Sequence, residues 1–275
     1  MASVAGIGKV DSRKKEHVMF ETVSQIDAWL MALGLALAMI CAWVAGWWGG
    51  RRTSSATEPT EFKLDDATLA LLGLLIAFTF AMSIGKNDQR KAMLVADSNA
   101  IGDFYTCAGF AEEPERTKLK ALIREYVEFR LDAVRQVQAG IGKSTFEDEI
   151  RRVQQMIGRM TDLVGEALRK GTPIAVPLIN TLNEVSSTNA ARIAAVRNRL
   201  PSSIVLLLFI AATVTALLIG RQQGALQVRR ISGTLSFILL VALVYYVTLD
   251  LNQPQKGLIT VNQQPLTELL ESMGK

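Results

Sequence analysis

Four uninterrupted apolar stretches, at roughly 28–48, 67–85, 202–220 and 231–249, constrain this chain of 275 residues more than any other feature. Each holds about 19–21 residues, close to the roughly 20 that a helix rising 1.5 Å per residue needs to cross the hydrocarbon core of a bilayer. None carries an ionisable side chain in its middle. A soluble core seldom repeats that pattern four times, so the sequence predicts an all-α, polytopic membrane protein with four transmembrane helices.

The first stretch follows Arg13, Lys14 and Lys15 and could be read as a signal peptide. It ends instead in Trp47 and Trp48, with no small-residue cleavage site. Trp29 and Trp47 would lie about 27 Å apart on a helix, which suits an aromatic belt at each interface. The stretch therefore reads as a retained span.

The spacing divides the chain into a polar extension (1–25), a first transmembrane pair (26–85), an extra-membrane stretch (86–200), a second pair (201–249) and a C-terminal turn with a short helix (250–275). The extra-membrane stretch predicts a helical bundle. After Pro114, apolar residues from Leu119 to Val137 recur at three and four, one face of an amphipathic helix. The stretch "STFE" at 144–147 is a capping box, with Ser144 as the N-cap and Glu147 reaching back. Behind it Ile150, Val153, Ile157, Met160, Val164 and Leu168 keep the helical period. At 170–173, "KGTP" supplies a glycine stop, a threonine cap and a proline for the first position of the next helix, which runs towards Pro201.

Nothing between residues 69 and 100 breaks a helix; there is no proline, and Gly73 and Gly85 are the weak points. A helix satisfies its own backbone in lipid and in water alike. The second span and the first bundle helix are thus expected to form one rod that couples the membrane part to the aqueous part. On that rod Thr68, Thr79, Ser83, Lys86, Arg90 and Asp97 fall within about 60° of each other at 100° per residue. This stripe reads either as a water-facing or pore-lining surface leading into a charged vestibule, or as an inter-helix face on which hydroxyls bond neighbouring helices and the cations snorkel. Leu72, Leu75 and Ile76 share it and would keep any pore narrow.

Much chemistry is excluded. Cys41 and Cys107 are far apart in sequence and His17 stands alone, so no disulfide framework or metal cluster is legible. Residues 86–200 hold 18 Lys and Arg against 15 Asp and Glu, interspersed as on a solvated surface and not as in a nucleic-acid footprint. No phosphate loop, dinucleotide fingerprint, zinc-protease motif or nucleophile elbow appears, and no intramembrane acid or base marks a proton relay. An enzyme, a cofactor site and a pump are not expected. Sidedness stays open. Arg51, Arg52, Arg221, Arg229 and Arg230 hug the short loops and favour a bundle outside the cytoplasm, while the raw count of basic residues favours the opposite.

Three stretches together, "LLGLLIAFTF" at 71–80, "DSNAIGDFY" at 97–105 and the tail "LDLNQPQKGLITVNQQPLTEL" at 249–269, resemble the bacterial bestrophin-like membrane family. The stretch "NTLNEVSSTNAAR" at 180–192 fits the same family. Family-matching positions are Asp97, Asn99, Gly102 and Asn183 in the bundle and Asp250, Pro254, Gly257, Pro265 and Leu266 in the tail. The resemblance covers the chain from about residue 26 to its end. It implies a homo-oligomer in a bacterial plasma membrane, and, through distant similarity to bestrophins proper, a passive channel for inorganic anions lined by the second span. Phe78 and Phe80 then look like constriction aromatics, although two residues apart on a helix they cannot both face one axis. The chain departs from bestrophins after the second span, where "KNDQRKAML" stands in place of a Tyr-Asp-Arg-Trp-Trp signature. A non-conducting scaffold or sensor whose bundle binds a partner is the alternative from another class.

Overall fold

A computed structural model describes residues 28–52, 59–139, 146–228, 230–253 and 259–274. Those residues form eight helices and no strand: α1 (Ala28–Arg52), α2 (Pro59–Ala108), α3 (Glu115–Gln138), α4 (Phe146–Arg169), α5 (Ala175–Arg197), α6 (Ser202–Ala225), α7 (Ile231–Leu251) and α8 (Gln264–Met273). Four helical stretches are long and apolar enough to cross a membrane; they contain α1, the first part of α2, α6 and α7. Helix α2 runs unbroken for 50 residues. The chain divides into two compact units, one of Met1–Ile84 with Leu200–Asn252, the other of Gly85–Arg199 with Gln253–Lys275.

In the first unit, α1 and α6 pack in parallel with their backbones nearly touching. A Cβ placed on Gly46 would lie 2.1 Å from the Leu217 carbonyl oxygen, and one on Gly50 would lie 2.2 Å from that of Arg221. The relation is reciprocal, because a Cβ on Gly220 or Gly224 would meet the carbonyls of Trp43 and Trp47 at 2.1 and 2.3 Å. Two Gly-x-x-x-Gly pairs thus interlock, the packing mode that membrane helices favour when lipid removes the hydrophobic drive between them. Polar side chains tie the same end to α7: Trp43 Nε1 donates to Gln223 Oε1 at 3.2 Å, and Gln223 Nε2 donates to Thr234 Oγ1 at 2.8 Å. Leu35, Met39, Leu208, Ala212, Val241 and Tyr245 fill the interior, while Leu33, Leu37, Leu206 and Leu239 face outwards, as lipid-bathed helices allow.

In the second unit, apolar side chains from α2, α3, α4, α5 and α8 close one core around Phe104, Ile123, Tyr126, Met160, Leu178 and Leu266. Helix α4 buries Ile150, Val153, Met156, Met160, Val164 and Ala167, one stripe at helical spacing. It stops as the sequence predicts at Gly171, whose φ of +79° only glycine adopts without strain. There the Thr172 amide donates to the Ala167 carbonyl and the Gly171 amide to Leu168, a Schellman ending. The next helix corrects the expectation for "KGTP". It begins at Ala175, with Ile174 at the cap position and no side-chain cap, so Pro173 is not its first residue. Thr172 is buried with its hydroxyl unbonded, because the Schellman turn uses Thr172 to end α4 and leaves it too far back to cap α5. The Ser144 cap and the N-terminal extension lie outside the described residues.

Candidate functional site

Helix α2 buries side chains at helical spacing in each unit. In the first unit these are Leu72, Thr79 and Ser83; in the second, Asn87, Arg90, Leu94, Asp97, Ile101 and Phe104. Thr79, Ser83, Arg90 and Asp97 of the polar stripe read from the sequence lie among them, while Lys86 is only half-buried.

Thr79 Oγ1 donates to the Leu75 carbonyl one turn back, at 2.7 Å, which satisfies the hydroxyl without a partner helix. Ser83 Oγ donates across to the Thr248 carbonyl at 3.2 Å, in the last turn of α7. The last four carbonyls of a helix have no amide of their own, and here the Asn252 amide turns to Leu249 instead of Thr248. Ser83 therefore completes α7. Thr68 is half-buried.

Arg90 does the same for the end of α5, where Lys86 bonds the side chain of the C-cap residue Asn198. Arg90 Nε donates to the Ala195 carbonyl and Nη2 to the Asn198 carbonyl, both at 3.2 Å, while Lys86 Nζ reaches Asn198 Oδ1 at 2.5 Å. Cations at a helix C-terminus also meet the negative end of its dipole. Arg199 adds a third positive charge beside them, which the sequence reading did not single out.

Asp97 is fully buried and is the centre of an ion cluster. Arg130 of α3 pairs with it at 2.5 Å, Arg192 of α5 approaches to 3.5 Å, and the Thr188 hydroxyl donates to its other oxygen at 3.3 Å. Arg130 also donates to the Tyr126 hydroxyl at 3.4 Å. Burial opposes the charge on Arg130, but Tyr126 and Asp97 outweigh it and hold its pKa above the ordinary value. Burial and then the like charge of Arg130 lower Arg192 to about 10, against the pull of Asp97 and Glu149. Burial pushes the Glu149 carboxyl up, with Arg192 opposing. A stripe signal for this cluster existed in the sequence: Arg130 falls on the same face of α3 as Leu119, Ile123 and Tyr126, where only apolar residues were expected.

The opposite side of α2 is uncovered in the single chain. It carries Leu71, Leu74, Phe78 and Met82, with Phe78 65% exposed. Phe80 is half-buried, so the two phenylalanines do not share a face.

The family-matching residues separate in the same way. Gly102 lets the tail helix approach, since a Cβ there would sit 3.2 Å from the Leu269 side chain. Leu266 is buried in the bundle core, and the Pro265 carbonyl accepts from Ser98 Oγ at 2.9 Å. Asp250 is buried at the end of α7, whereas Asn99 and Asn183 are exposed. Pro254 and Gly257 lie outside the described residues. Among the described residues no cluster of His, Cys, Asp and Glu could hold a metal ion.

Comparison with known proteins gives one family. A model described as the bestrophin-like domain matches residues 32–266. Solved structures share the fold: a crystal structure described only as that of a membrane protein superposes with a TM-score of 0.62 at 12% identity, covering 88% of this chain and 93% of the other. Two crystal structures of a bacterial bestrophin homologue from Klebsiella pneumoniae, each with a point substitution, give TM-scores of 0.59 and 0.58 at 12% and 13% identity, with 88% of this chain and 94% of theirs covered. No curated protein matches the chain.

Proposed function

The chain belongs to the bestrophin-like family, and on that premise we propose that copies of it assemble in a bacterial plasma membrane into a passive ion channel with a preference for anions. The observation that carries the reading is the incomplete enclosure of α2. Its apolar window is 17% buried, against 28% in α1, 28% in the stretch holding α6 and 44% in α7. The helix that the family resemblance assigns to the pore is thus the span with least cover from its own chain. Neighbouring copies would supply that cover and leave one face to an axis.

The uncovered face of Leu71, Leu74, Phe78 and Met82 suits the wall of such a path better than the stripe of Thr79 and Ser83, whose hydroxyls are engaged within the protomer. Phe78 is then the constriction side chain. Lys86, Arg90 and Arg199 gather positive charge at the end of α5, and a positive field of this kind raises the local concentration of anions. Arginines beside the short loops, Arg51, Arg52, Arg221 and Arg230, favour the bundle on the periplasmic side.

The test is flux of chloride and of potassium through purified protein in liposomes under an imposed potential. Phe78→Ala should widen the path and raise flux about tenfold or more, the response expected when a large side chain sets a narrow pore. Leu206→Ala, on an outward face of α6, should leave flux unchanged. Potassium outrunning chloride would remove the anion preference. Folded oligomer that passes neither ion, in either variant, would sink the channel and leave a scaffold or sensor.

A further inference from the structure

Three cations stand around one residue of the second unit, Asn198, where α5 ends. Arg90 Nη2 donates to the Asn198 carbonyl at 3.2 Å, and Lys86 Nζ meets Asn198 Oδ1 at 2.5 Å. Arg199 follows Asn198 in the chain, and its exposed side chain makes no hydrogen bond or ion pair among the described residues. Completing a helix end accounts for Arg90 but not for the two cations beside it. Acids that adjoin the cluster are taken by other partners: Asp88 pairs with Lys91 at 3.6 Å, and Glu147 with Arg197 at 2.7 Å. Burial, and then the like charge of Arg199, lower the pKa of Arg90. The cluster is therefore an excess of positive charge held in fixed positions.

Its depth along the chain is equally defined. The apolar stretch of α2 ends at residue 85, so Lys86 is the first charge beyond it on the same unbroken helix. Arg90 comes four residues later, about 6 Å further along the axis. Arg199 stands three residues before Ser202, which opens α6. The polar headgroup layer of a bilayer extends about 5–8 Å beyond the hydrocarbon on each side, so all three cations fall at the level of the lipid phosphates. Asn198 also lines an open groove of about 700 Å³ between α4 and α5, with Ile150 and Ile193 on its apolar part and Gln154 on its polar part. That groove has room for the alcohol a phosphodiester carries.

We propose that Lys86, Arg90 and Arg199 form a binding site for the phosphate of an anionic phospholipid, centred on Asn198. The ammonium and the exposed guanidinium supply charge-assisted donors to the phosphate oxygens, and Arg90 supplies a fixed buried charge behind them. The bound lipid joins α2 to the end of α5 at the membrane surface. The site requires that the chain sit in a bilayer but not that it conduct. A phosphate held there neutralises part of the positive field that the channel reading assigns to permeant anions, so the two uses of these cations are separable.

Native mass spectrometry of the full-length protein in a neutral detergent would count bound phosphatidylglycerol and phosphatidylcholine offered in equal amounts. A cation close to an anionic lipid surface is worth about fivefold in affinity, so phosphatidylglycerol should be preferred by about tenfold or more. Lys86→Gln with Arg199→Gln should abolish that preference, and the charge-preserving pair Lys86→Arg with Arg199→Lys should keep it. Arg116→Gln with Arg124→Gln removes the same charge from exposed positions of α3 and should also keep it. Equal binding of the two lipids by the unaltered protein overturns the site. Equal loss in the Lys86/Arg199 and Arg116/Arg124 pairs overturns it too, because net charge alone would then explain the preference. Since Lys86→Gln also breaks the bond to Asn198, Arg199→Gln alone decides the matter at a side chain with no bond to lose; it should lower the preference about threefold or more, and no change there removes the site. Excess inorganic phosphate separates the two sources of the anion. Lipid that stays bound supports the proposal, and lipid displaced by free phosphate overturns the assignment to phospholipid.

Discussion

Helices α1 and α6 meet through glycine, whereas α2, α3 and α5 meet through an aspartate and two arginines. The contrast follows from what each unit must exclude. In the first unit the surroundings are as apolar as the helix surfaces, so burying leucine against leucine gains little over leaving it in lipid. Close approach of backbones, with its dispersion and weak Cα–H···O contacts, does the holding. The second unit instead closes an apolar core beneath exposed charged side chains, and apolar burial of that kind drives assembly. A core stabilised in that way tolerates a desolvated ion pair, and the ions contribute position more than net energy. The four tryptophans, Trp29, Trp43, Trp47 and Trp48, all lie in the first unit, so fluorescence reports that unit alone while far-UV circular dichroism reports both.

The largest break in this comparison is expected from Arg130→Met. It leaves the fully buried Asp97 with only the Thr188 hydroxyl and, at 3.5 Å, Arg192, and removing one partner of a buried pair costs about 3–5 kcal/mol. The midpoint of the circular dichroism transition should fall while the tryptophan transition keeps its place. Adding Asp97→Leu and Arg192→Met to Arg130→Met should restore most of the loss, because an apolar replacement of the whole ionic cluster is close to neutral and leaves no buried charge unpaired. If the triple variant is no better than the single one, the cluster contributes energy as well as position.

Gly220→Leu should strike the other unit, with an effect of about 1–3 kcal/mol or more as the helices are forced apart. The new Cβ would meet the Trp43 carbonyl at 2.1 Å, which no rotamer relieves. The tryptophan emission should shift because Trp43 and Trp47 line that crossing. Gly34→Leu is the control: nothing lies within 4 Å of a Cβ there, so emission and stability should both hold.

These two sites also mark how far the sequence could be read. Apolar length announced the spans, and periods of three and four announced the bundle helices, because both are one-dimensional consequences of a helix against lipid or a core. The glycine pairs at 46 and 50 and at 220 and 224 were equally visible as spacing, yet what makes them matter is their meeting, which joins positions about 170 residues apart. The stripe on α2 was legible as a face, but what lies opposite it was not: the last turn of α7 for Ser83 and the end of α5 for Arg90. Arg130 was hidden by its own chemistry: a lone arginine on an apolar face is read as an exception until Asp97, 33 positions away, supplies its partner.

The smallest effect sharpens the comparison most, because it makes the same change in both units. Ser83→Ala and Ser98→Ala each remove one hydroxyl that donates to a backbone carbonyl, to Thr248 at 3.2 Å and to Pro265 at 2.9 Å. By distance alone Ser98 makes the better bond. The carbonyls differ, however. Thr248 lies in the last turn of α7, and the Asn252 amide that could have served it bonds Leu249, so Ser83→Ala leaves a buried acceptor without a donor. Pro265 lies in the first turn of α8, where a carbonyl already accepts from the amide four residues on. Ser83→Ala should therefore cost about 1–3 kcal/mol and Ser98→Ala about 0.5–1, the first seen in the tryptophan transition and the second as faster hydrogen exchange confined to α8. The reverse order would mean that donor–acceptor distance, and not the unmet carbonyl, sets the value of these bonds. In that case the stripe on α2 would have to be explained by something other than completing the helices it touches.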